Sequence, residues 1–294
     1  MITDQIRDLL TSGDFGIGVV LGSVALVVVL ITARAREDAG DESPAPIVGL
    51  LIAGAGAVAI ASSSELPWRV VLGLALLAAS RSLRIPAFLF VPLALGGGVV
   101  VASAVPNGPW WIGPALVGTV TIGGLAAASF DRRSAASGLG PVLFALSSVG
   151  VYVTVPETNA ALALVGVSVP LAFAGWPRVH ARLGDAGVLA AVGLLGWVAA
   201  TGGTPRPSAV IGGLACLGVL VVEPASRALL GARGAGRVPA KWAVAALHVV
   251  AVLLVARVAG LRSSAAAALI VASAVLVAAS VVMAWLIRAA RPSR

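Results

Sequence analysis

Side chains able to carry acid–base chemistry are scarce in this sequence, and His248 is the clearest one inside an apolar run. An ionisable group within a membrane-spanning segment is by default a candidate for a proton relay or a ligand site. A neutral histidine that hydrogen-bonds to a neighbouring helix is the structural alternative. Because no Asp or Glu accompanies His248 in the apolar runs, the sequence argues against transport coupled to protons or sodium through a buried carboxylate.

A second candidate is Glu157, the one carboxylate in the turn at residues 155–159. A helix is expected to begin directly after this turn. The charge of Glu157 would favour that helix N-terminus, and Thr158 or Asn159 could cap it. Binding of a headgroup or of a partner outside the membrane is the alternative role, so Glu157 is kept as a candidate binding residue.

The least ordinary backbone is expected in the apolar run at residues 85–105, which contains Pro92 and the triplet Gly96, Gly97 and Gly98. Proline removes a helical hydrogen bond, and each glycine lowers helix preference by roughly 1 kcal/mol relative to alanine. Transporters place interrupted helices near the membrane midplane, where unwound backbone can bind substrate. These four residues are therefore predicted to mark a substrate site. Close packing against a neighbouring helix is the alternative, in a chain with 35 glycines.

Recognisable catalytic motifs are missing from the sequence. It has no H-E-x-x-H, P-loop, nucleophile-elbow or paired-Asp pattern, and Cys216 is its single cysteine. The stretch at residues 54–59 fits a G-x-G-x-x-A dinucleotide pattern, but without a β–α–β setting it is better explained by helix packing through small residues. We predict no catalytic residues, no metal site and no cofactor. Whether the chain is an enzyme stays open, with these absences against it.

The elements that must position these residues are apolar helices. Hydrophobic residues make up 59% of the 294 and charged residues 11%, against about 25% charged in soluble domains. A helix needs about 20 apolar residues to cross about 30 Å of hydrocarbon, and the runs are continuous rather than alternating, which excludes barrel strands. We predict an all-α polytopic membrane protein of about eleven transmembrane helices arranged as successive hairpins. The runs cover residues 15–32, 46–62, 67–79, 85–105, 110–129, 139–155, 160–174, 186–200, 208–222, 242–256 and 264–287.

The basic residues predict the orientation of these helices. Of the 20 Lys and Arg residues, 15 fall on one set of alternate connections and 5 on the other. Cytoplasmic loops collect Lys and Arg, so the N-terminus is expected outside and the C-terminus inside. The inner set is Arg34, Arg36, Arg81, Arg84, Arg132, Arg133, Arg178, Arg182, Arg227, Arg233, Arg237, Lys241, Arg288, Arg291 and Arg294, and the outer set is Arg7, Arg69, Arg206, Arg257 and Arg262.

Three features are expected at the outer surface. Arg69 lies in the first turn of the short third run, from which its side chain can snorkel to the interface. Trp110 and Trp111 predict an aromatic belt on the same side. Residues 1–14 place their apolar side chains on one helical face, as an interfacial helix would.

The inner surface is expected to be basic. Residues 1–294 form one membrane domain with its spans within 15–287, and the longest cytoplasmic loop, 224–241, and the tail 288–294 are both basic. Such segments attract anionic lipid. The loop is either a solvated, lipid-facing surface or a docking site for a protein partner. Nucleic acid is excluded because no clustered basic face with stacking aromatics is present.

Three functions fit these observations, in order. The first is a permease or lipid-handling transporter for an apolar or amphipathic substrate, since charged residues that could line a path are missing. The second is a non-catalytic membrane subunit or scaffold of an envelope-assembly complex. The third is an intramembrane enzyme acting on a lipid-linked substrate. The abundance of Ala, Gly, Val and Arg with almost no Lys suggests a GC-rich bacterial genome, and hence the plasma membrane of a bacterium.

Overall fold

The structure, a computed structural model, is mostly helical over the residues that it describes. It describes residues 10–41, 44–82, 86–106, 108–133, 140–155, 158–175, 180–203 and 206–218, together with residues 7, 220, 250, 254, 256–261, 264 and 267. The helices are α1 (Gly13–Asp38), α2 (Val48–Ser63), α3 (Trp68–Ser82), α4 (Ala87–Ala102), α5 (Ile112–Gly118), a π-helical segment (Thr119–Gly123), α6 (Gly124–Arg133), α7 (Gly140–Thr154), α8 (Asn159–Ala172), α9 (Asp185–Gly203) and α10 (Pro207–Cys216).

The prediction of an all-α chain is confirmed for the described residues. Each of the first nine apolar runs coincides with a helix, the fifth run being α5, the π-helical segment and α6 in sequence. By length and composition, α1 and α9 are apolar enough to cross a membrane, and the other apolar helices are shorter. The number of crossings therefore stays a prediction. Most of the last two runs, and all of the loop 224–241 and the tail 288–294, lie outside the described residues.

Helix α9 lies at the centre of the bundle. Its residues are buried without interruption from Gly187 to Ala200, and it contacts each of α2 to α8 as well as α10. The residues of α9 itself are mostly Gly, Ala, Val and Leu, so every face of the helix is apolar. A helix that is apolar on all faces is a buried one. Its glycines admit neighbouring side chains: a Cβ added at Gly193 would lie 2.6 Å from Leu77 Cδ1. Small residues on α9 thus allow the neighbouring helices to pack closely against it, which holds it at the centre of the bundle.

Two pairs of helices meet at glycines on both sides. In the contact of α1 with α8, a Cβ added at Gly18 would lie 3.0 Å from the Cα of Gly166. In the contact of α2 with α9, a Cβ added at Gly187 would lie 2.7 Å from the Cα of Gly49. Small residues at a helix interface let the two backbones touch and gain van der Waals contact.

The hairpins α1–α2 and α8–α9 pack side by side in the same direction. The segments that lead into α2 and α9 form a parallel bridge, in which the Ala45 N–H donates to the His180 carbonyl at 3.4 Å and the Arg182 N–H donates to the Ala45 carbonyl at 2.9 Å. Gly184 has a φ of 72° there, and a Cβ on it would lie 2.8 Å from the Pro46 carbonyl oxygen. This turn therefore requires glycine for both its conformation and its close approach.

The bundle has two distinct ends. The bridge end contains the turns at residues 39–47 and 180–184, which the parallel bridge joins. The opposite end contains the turns that follow α2, α4, α7 and α9. There the Trp197 indole N–H donates to the Ala104 carbonyl at 3.4 Å, and a Cβ added at Gly202 would lie 3.0 Å from Thr158 Oγ1.

Basic side chains of the described residues divide between these ends as the sequence predicts. At the bridge end, Arg34 pairs with Asp38 at 3.3 Å and Arg36 hydrogen-bonds to Asp41. At the opposite end, Arg257 donates to the Val153 carbonyl in the last turn of α7 at 2.7 Å. A cation at that position satisfies a free carbonyl and complements the negative end of the helix dipole. Which end faces the cytosol stays a prediction.

Candidate functional site

Helix α4 carries the four residues that the sequence marks as a substrate site, and its backbone is continuous. Pro92 stands in the second turn of α4 and is exposed. Because proline has no N–H, the carbonyl of Phe88 loses its helical partner, yet the helix continues to Ala102. The interruption expected from the proline and the glycines does not occur between Ala87 and Ala102. The hydrogen bond that Pro92 removes lies near the start of α4, and its absence there leaves the later turns of the helix intact.

The glycine triplet of α4 serves helix packing at two of its three positions. A Cβ added at Gly97 would lie 3.0 Å from both the Gly73 carbonyl oxygen and the Leu77 nitrogen of α3. A Cβ added at Gly98 would lie 2.9 Å from Thr121 Cγ2. At Gly96, by contrast, a Cβ would meet nothing within 4 Å. Gly97 and Gly98 therefore set the position of α4 between its two neighbours.

The irregular backbone lies one helix further along, at Thr119–Gly123. This π-helical segment joins α5 to α6 without a break, and such insertions occur frequently at functional sites. The Thr119 hydroxyl donates to the Ala115 carbonyl at 2.8 Å, and the Thr121 hydroxyl donates to the Val117 carbonyl at 2.6 Å. The two hydroxyls thus supply donors to backbone carbonyls where the hydrogen-bond register of the helix changes.

A groove of about 720 Å³ runs between α4 and the continuous helix formed by α5, the π-helical segment and α6. We call it the α4–α5 groove. One wall is the row Val91, Leu95 and Val99, which repeats every four residues along one face of α4 and is 47%, 48% and 52% exposed. The groove is therefore open to the surroundings of the bundle. Its lining comprises Val91, Leu95, Val99, Ala102, Ser103, Gly113, Pro114, Val117, Gly118, Thr121, Ile122 and Leu125.

The chemistry of the α4–α5 groove is apolar. Ser103 and Thr121 are the polar residues of its lining. The Ser103 hydroxyl donates to the Val100 carbonyl at 2.7 Å, as that of Thr121 does to Val117, so both donors are used within their own helices. Among the described residues, no charged side chain lines the groove. This part of the lining offers van der Waals contact to a hydrocarbon chain and no acid, base or nucleophile.

The residues that the sequence marks as a site are only partly brought together. Gly98 contacts Thr121 behind the α4–α5 groove, and Pro92 lies exposed on α4, whereas Glu157 and His248 lie outside the described residues. Thr158 is the N-cap residue of α8, as one alternative held, but its hydroxyl donates to the Val155 carbonyl at 3.1 Å instead of capping the helix.

Sequence reasoning missed the second wall of the groove. The signal present in the sequence is the cluster of small residues and threonines from Gly118 to Gly124. That cluster indicates weak helix preference but does not place the segment opposite α4.

In comparisons with known proteins, neither a protein-family model nor a curated protein matches the chain.

Proposed function

We propose that this chain is a multi-pass protein of a bacterial plasma membrane that binds an apolar or amphipathic lipid in the α4–α5 groove and moves it across the bilayer. The groove is the observation that carries the proposal. Its volume of about 720 Å³ falls within the roughly 300–1,000 Å³ of ordinary ligand sites.

The outer surface of the bundle supports a membrane setting. Large apolar side chains of α1, among them Val20, Val24 and Ile31, are exposed. Soluble monomers rarely expose contiguous apolar patches beyond a few hundred Å². Within the described part of the chain, the buried polar side chains are Ser and Thr, several of which hydrogen-bond within their own helices. An apolar exterior around a close-packed, small-residue interior is the arrangement that hydrocarbon solvent favours.

Helix lengths also support this setting for two elements. α1 has 26 residues, which at 1.5 Å per residue gives about 39 Å, enough for about 30 Å of hydrocarbon. α9 has 19 residues, about 29 Å by the same measure. The apolar part of the continuous helix that forms one wall of the α4–α5 groove, Ile112–Ala128, is shorter, at about 26 Å, so this wall would cross most of the hydrocarbon.

The open side of the groove supports a lipid substrate in particular. Val91, Leu95 and Ile122 face both the groove and the surroundings of the bundle. A lipid chain can therefore enter sideways from the bilayer without first passing through water. Movement of α4 against α3 and the π-helical segment would widen the groove, because Gly97 and Gly98 place no side chain of α4 in these contacts and small helix shifts are a common mode of rearrangement.

Filling the groove is expected to stop lipid movement. A Cβ added at Gly118 would meet nothing within 4 Å, so Gly118→Phe should place a ring in the groove without disturbing the backbone. The full chain is reconstituted into vesicles that contain a fluorescent phospholipid, and the label is bleached from outside with dithionite. The unsubstituted protein should expose inner-leaflet label faster than protein-free vesicles do. Gly118→Phe should slow that exposure at least about tenfold, which corresponds to about 1.4 kcal/mol.

The matched control is Gly54→Phe. Gly54 also has open space around its Cβ position, but it lies on α2 and outside the groove lining. Equal rates for Gly118→Phe and Gly54→Phe, or no acceleration by the unsubstituted chain, would contradict the proposed function.

A further inference from the structure

One mouth of the α4–α5 groove lies at the opposite end of the bundle, where the groove is lined by Ala102, Ser103 and Gly113. From Ser103 to Val91 the lining extends about 18 Å along α4, at 1.5 Å per residue. Half of a bilayer's hydrocarbon is about 15 Å thick. The groove thus has the depth of one leaflet, measured from this mouth, and its length fits one acyl chain of a lipid in that leaflet.

Arg69 places a positive charge at this mouth. Its Nη1 donates to the carbonyl of Ser103, a residue of the groove lining, at 3.4 Å. Its guanidinium carbon lies 5.9 Å from the centroid of the Trp68 ring. The side chains of Arg69 and Trp68 are exposed, so the guanidinium can reach a ligand from this position.

The charge of Arg69 is not neutralised by an ion pair with the described residues. Glu65 lies one turn earlier in the chain, but no carboxylate of the described part comes within salt-bridge distance of the guanidinium. The bridge end differs in this respect, since Arg34 and Arg36 there pair with acidic neighbours. An apolar slot of one-leaflet depth with an unneutralised cation at its mouth is complementary to an amphipathic anion.

Aromatic side chains mark the same level of the bundle. Trp110, just before α5, is 86% exposed, and Trp68 begins α3. Exposed tryptophans of this kind occupy the headgroup level of a membrane. The cation is therefore positioned where a phosphate would lie when the chain of its lipid fills the groove.

We infer that the ligand of the α4–α5 groove is an anionic phospholipid of the leaflet at the opposite end, with its phosphate at Arg69 and one acyl chain along α4. This inference rests on the proposed function and specifies its substrate class. By the predicted orientation, that leaflet is the outer one.

The test is native mass spectrometry of the full chain in mild detergent, titrated with phosphatidylglycerol and phosphatidylcholine that carry identical acyl chains. The unsubstituted chain is expected to retain phosphatidylglycerol in preference. Arg69→Gln should weaken the binding of phosphatidylglycerol about fivefold, the effect of one cation beside an anionic lipid surface, and weaken that of phosphatidylcholine less, because its choline offsets the charge of its phosphate. Arg69→Lys should keep most of the preference. Arg206→Gln removes another cation of the opposite end, one outside the groove lining, and should keep the preference fully.

The outcomes separate this inference from the proposed function. If Gly118→Phe removes both lipids while Arg69→Gln changes neither, the groove binds lipid without selecting its charge, and the inference is overturned alone. If Gly118→Phe leaves the binding of both lipids intact, the groove is not the site and the proposed function fails with it. Equal loss of phosphatidylglycerol in Arg69→Gln and Arg206→Gln would also overturn the inference, because it would indicate a general charge effect.

Discussion

Gly187→Leu is expected to destroy the folded bundle. A Cβ at Gly187 would lie 2.7 Å from the Cα of Gly49 and 2.8 Å from the nitrogen of Leu50, so backbone atoms meet the new side chain. Backbone cannot yield as a flexible side chain can, and the substitution lies in the central helix. We expect a loss of about 3 kcal/mol or more, at the upper end of the cost of overpacking. The measurement is the fraction of detergent-solubilised protein that elutes as a single species, followed through a thermal ramp.

The control for Gly187→Leu is Gly54→Leu. Both replace a glycine in a helix, so the change in helix preference is similar, but a Cβ at Gly54 meets nothing within 4 Å. Gly54→Leu should therefore elute as the unsubstituted chain does. If Gly187→Leu also retained the native melting temperature, the direct contact between α2 and α9 would be wrong.

Gly97→Leu is expected to have the next largest effect, and on both stability and lipid movement. Its side chain would meet the Gly73 carbonyl oxygen and the Leu77 nitrogen, both at 3.0 Å, and would push α4 away from α3. Since α4 is one wall of the α4–α5 groove, the groove should lose its shape. We expect a cost of about 1–3 kcal/mol in thermal unfolding, together with loss of the lipid movement measured in vesicles.

The neighbouring substitution Gly96→Leu gives the stability control within the same turn. Open space surrounds a Cβ there, and leucine has a helix preference better than that of glycine by roughly 1 kcal/mol or less. Gly96→Leu should thus unfold at an unchanged or slightly higher temperature. Similar melting temperatures for the two variants would mean that the triplet does not set the distance between α3 and α4.

The positions of the helices could be predicted from the sequence because each is a long apolar run bounded by proline, glycine or charge. The run at residues 208–222 and helix α10, which begins at Pro207, differ by one residue at their start. The ends were less predictable. α1 continues to Asp38, six residues past the apolar run, because Arg34 pairs with Glu37 and Asp38 one turn on and supports the helix outside its apolar part.

The candidate site was predictable only on its α4 side. An unusual run of glycines indicated that α4 has a special role, but two explanations fitted it, and packing accounts for Gly97 and Gly98. Gly124, directly after the π-helical segment, packs against Leu189 of α9, a long-range contact that a local sequence pattern does not encode. Which helix faces α4 across the groove likewise follows from the packing of the whole bundle.

The proposals all depend on one arrangement, in which the opposite end of the bundle faces outward and the bridge end faces the cytosol. Two exposed turn residues, Glu65 and Ala39, lie at these ends, and the buried Cys216 can be removed as Cys216→Ala. In that background, Glu65→Cys and Ala39→Cys are treated with a membrane-impermeant maleimide on intact cells and after permeabilisation. With this orientation, Glu65→Cys should be labelled on intact cells and Ala39→Cys only after permeabilisation. Labelling of both on intact cells, or recovery of the protein in the soluble fraction, would contradict it.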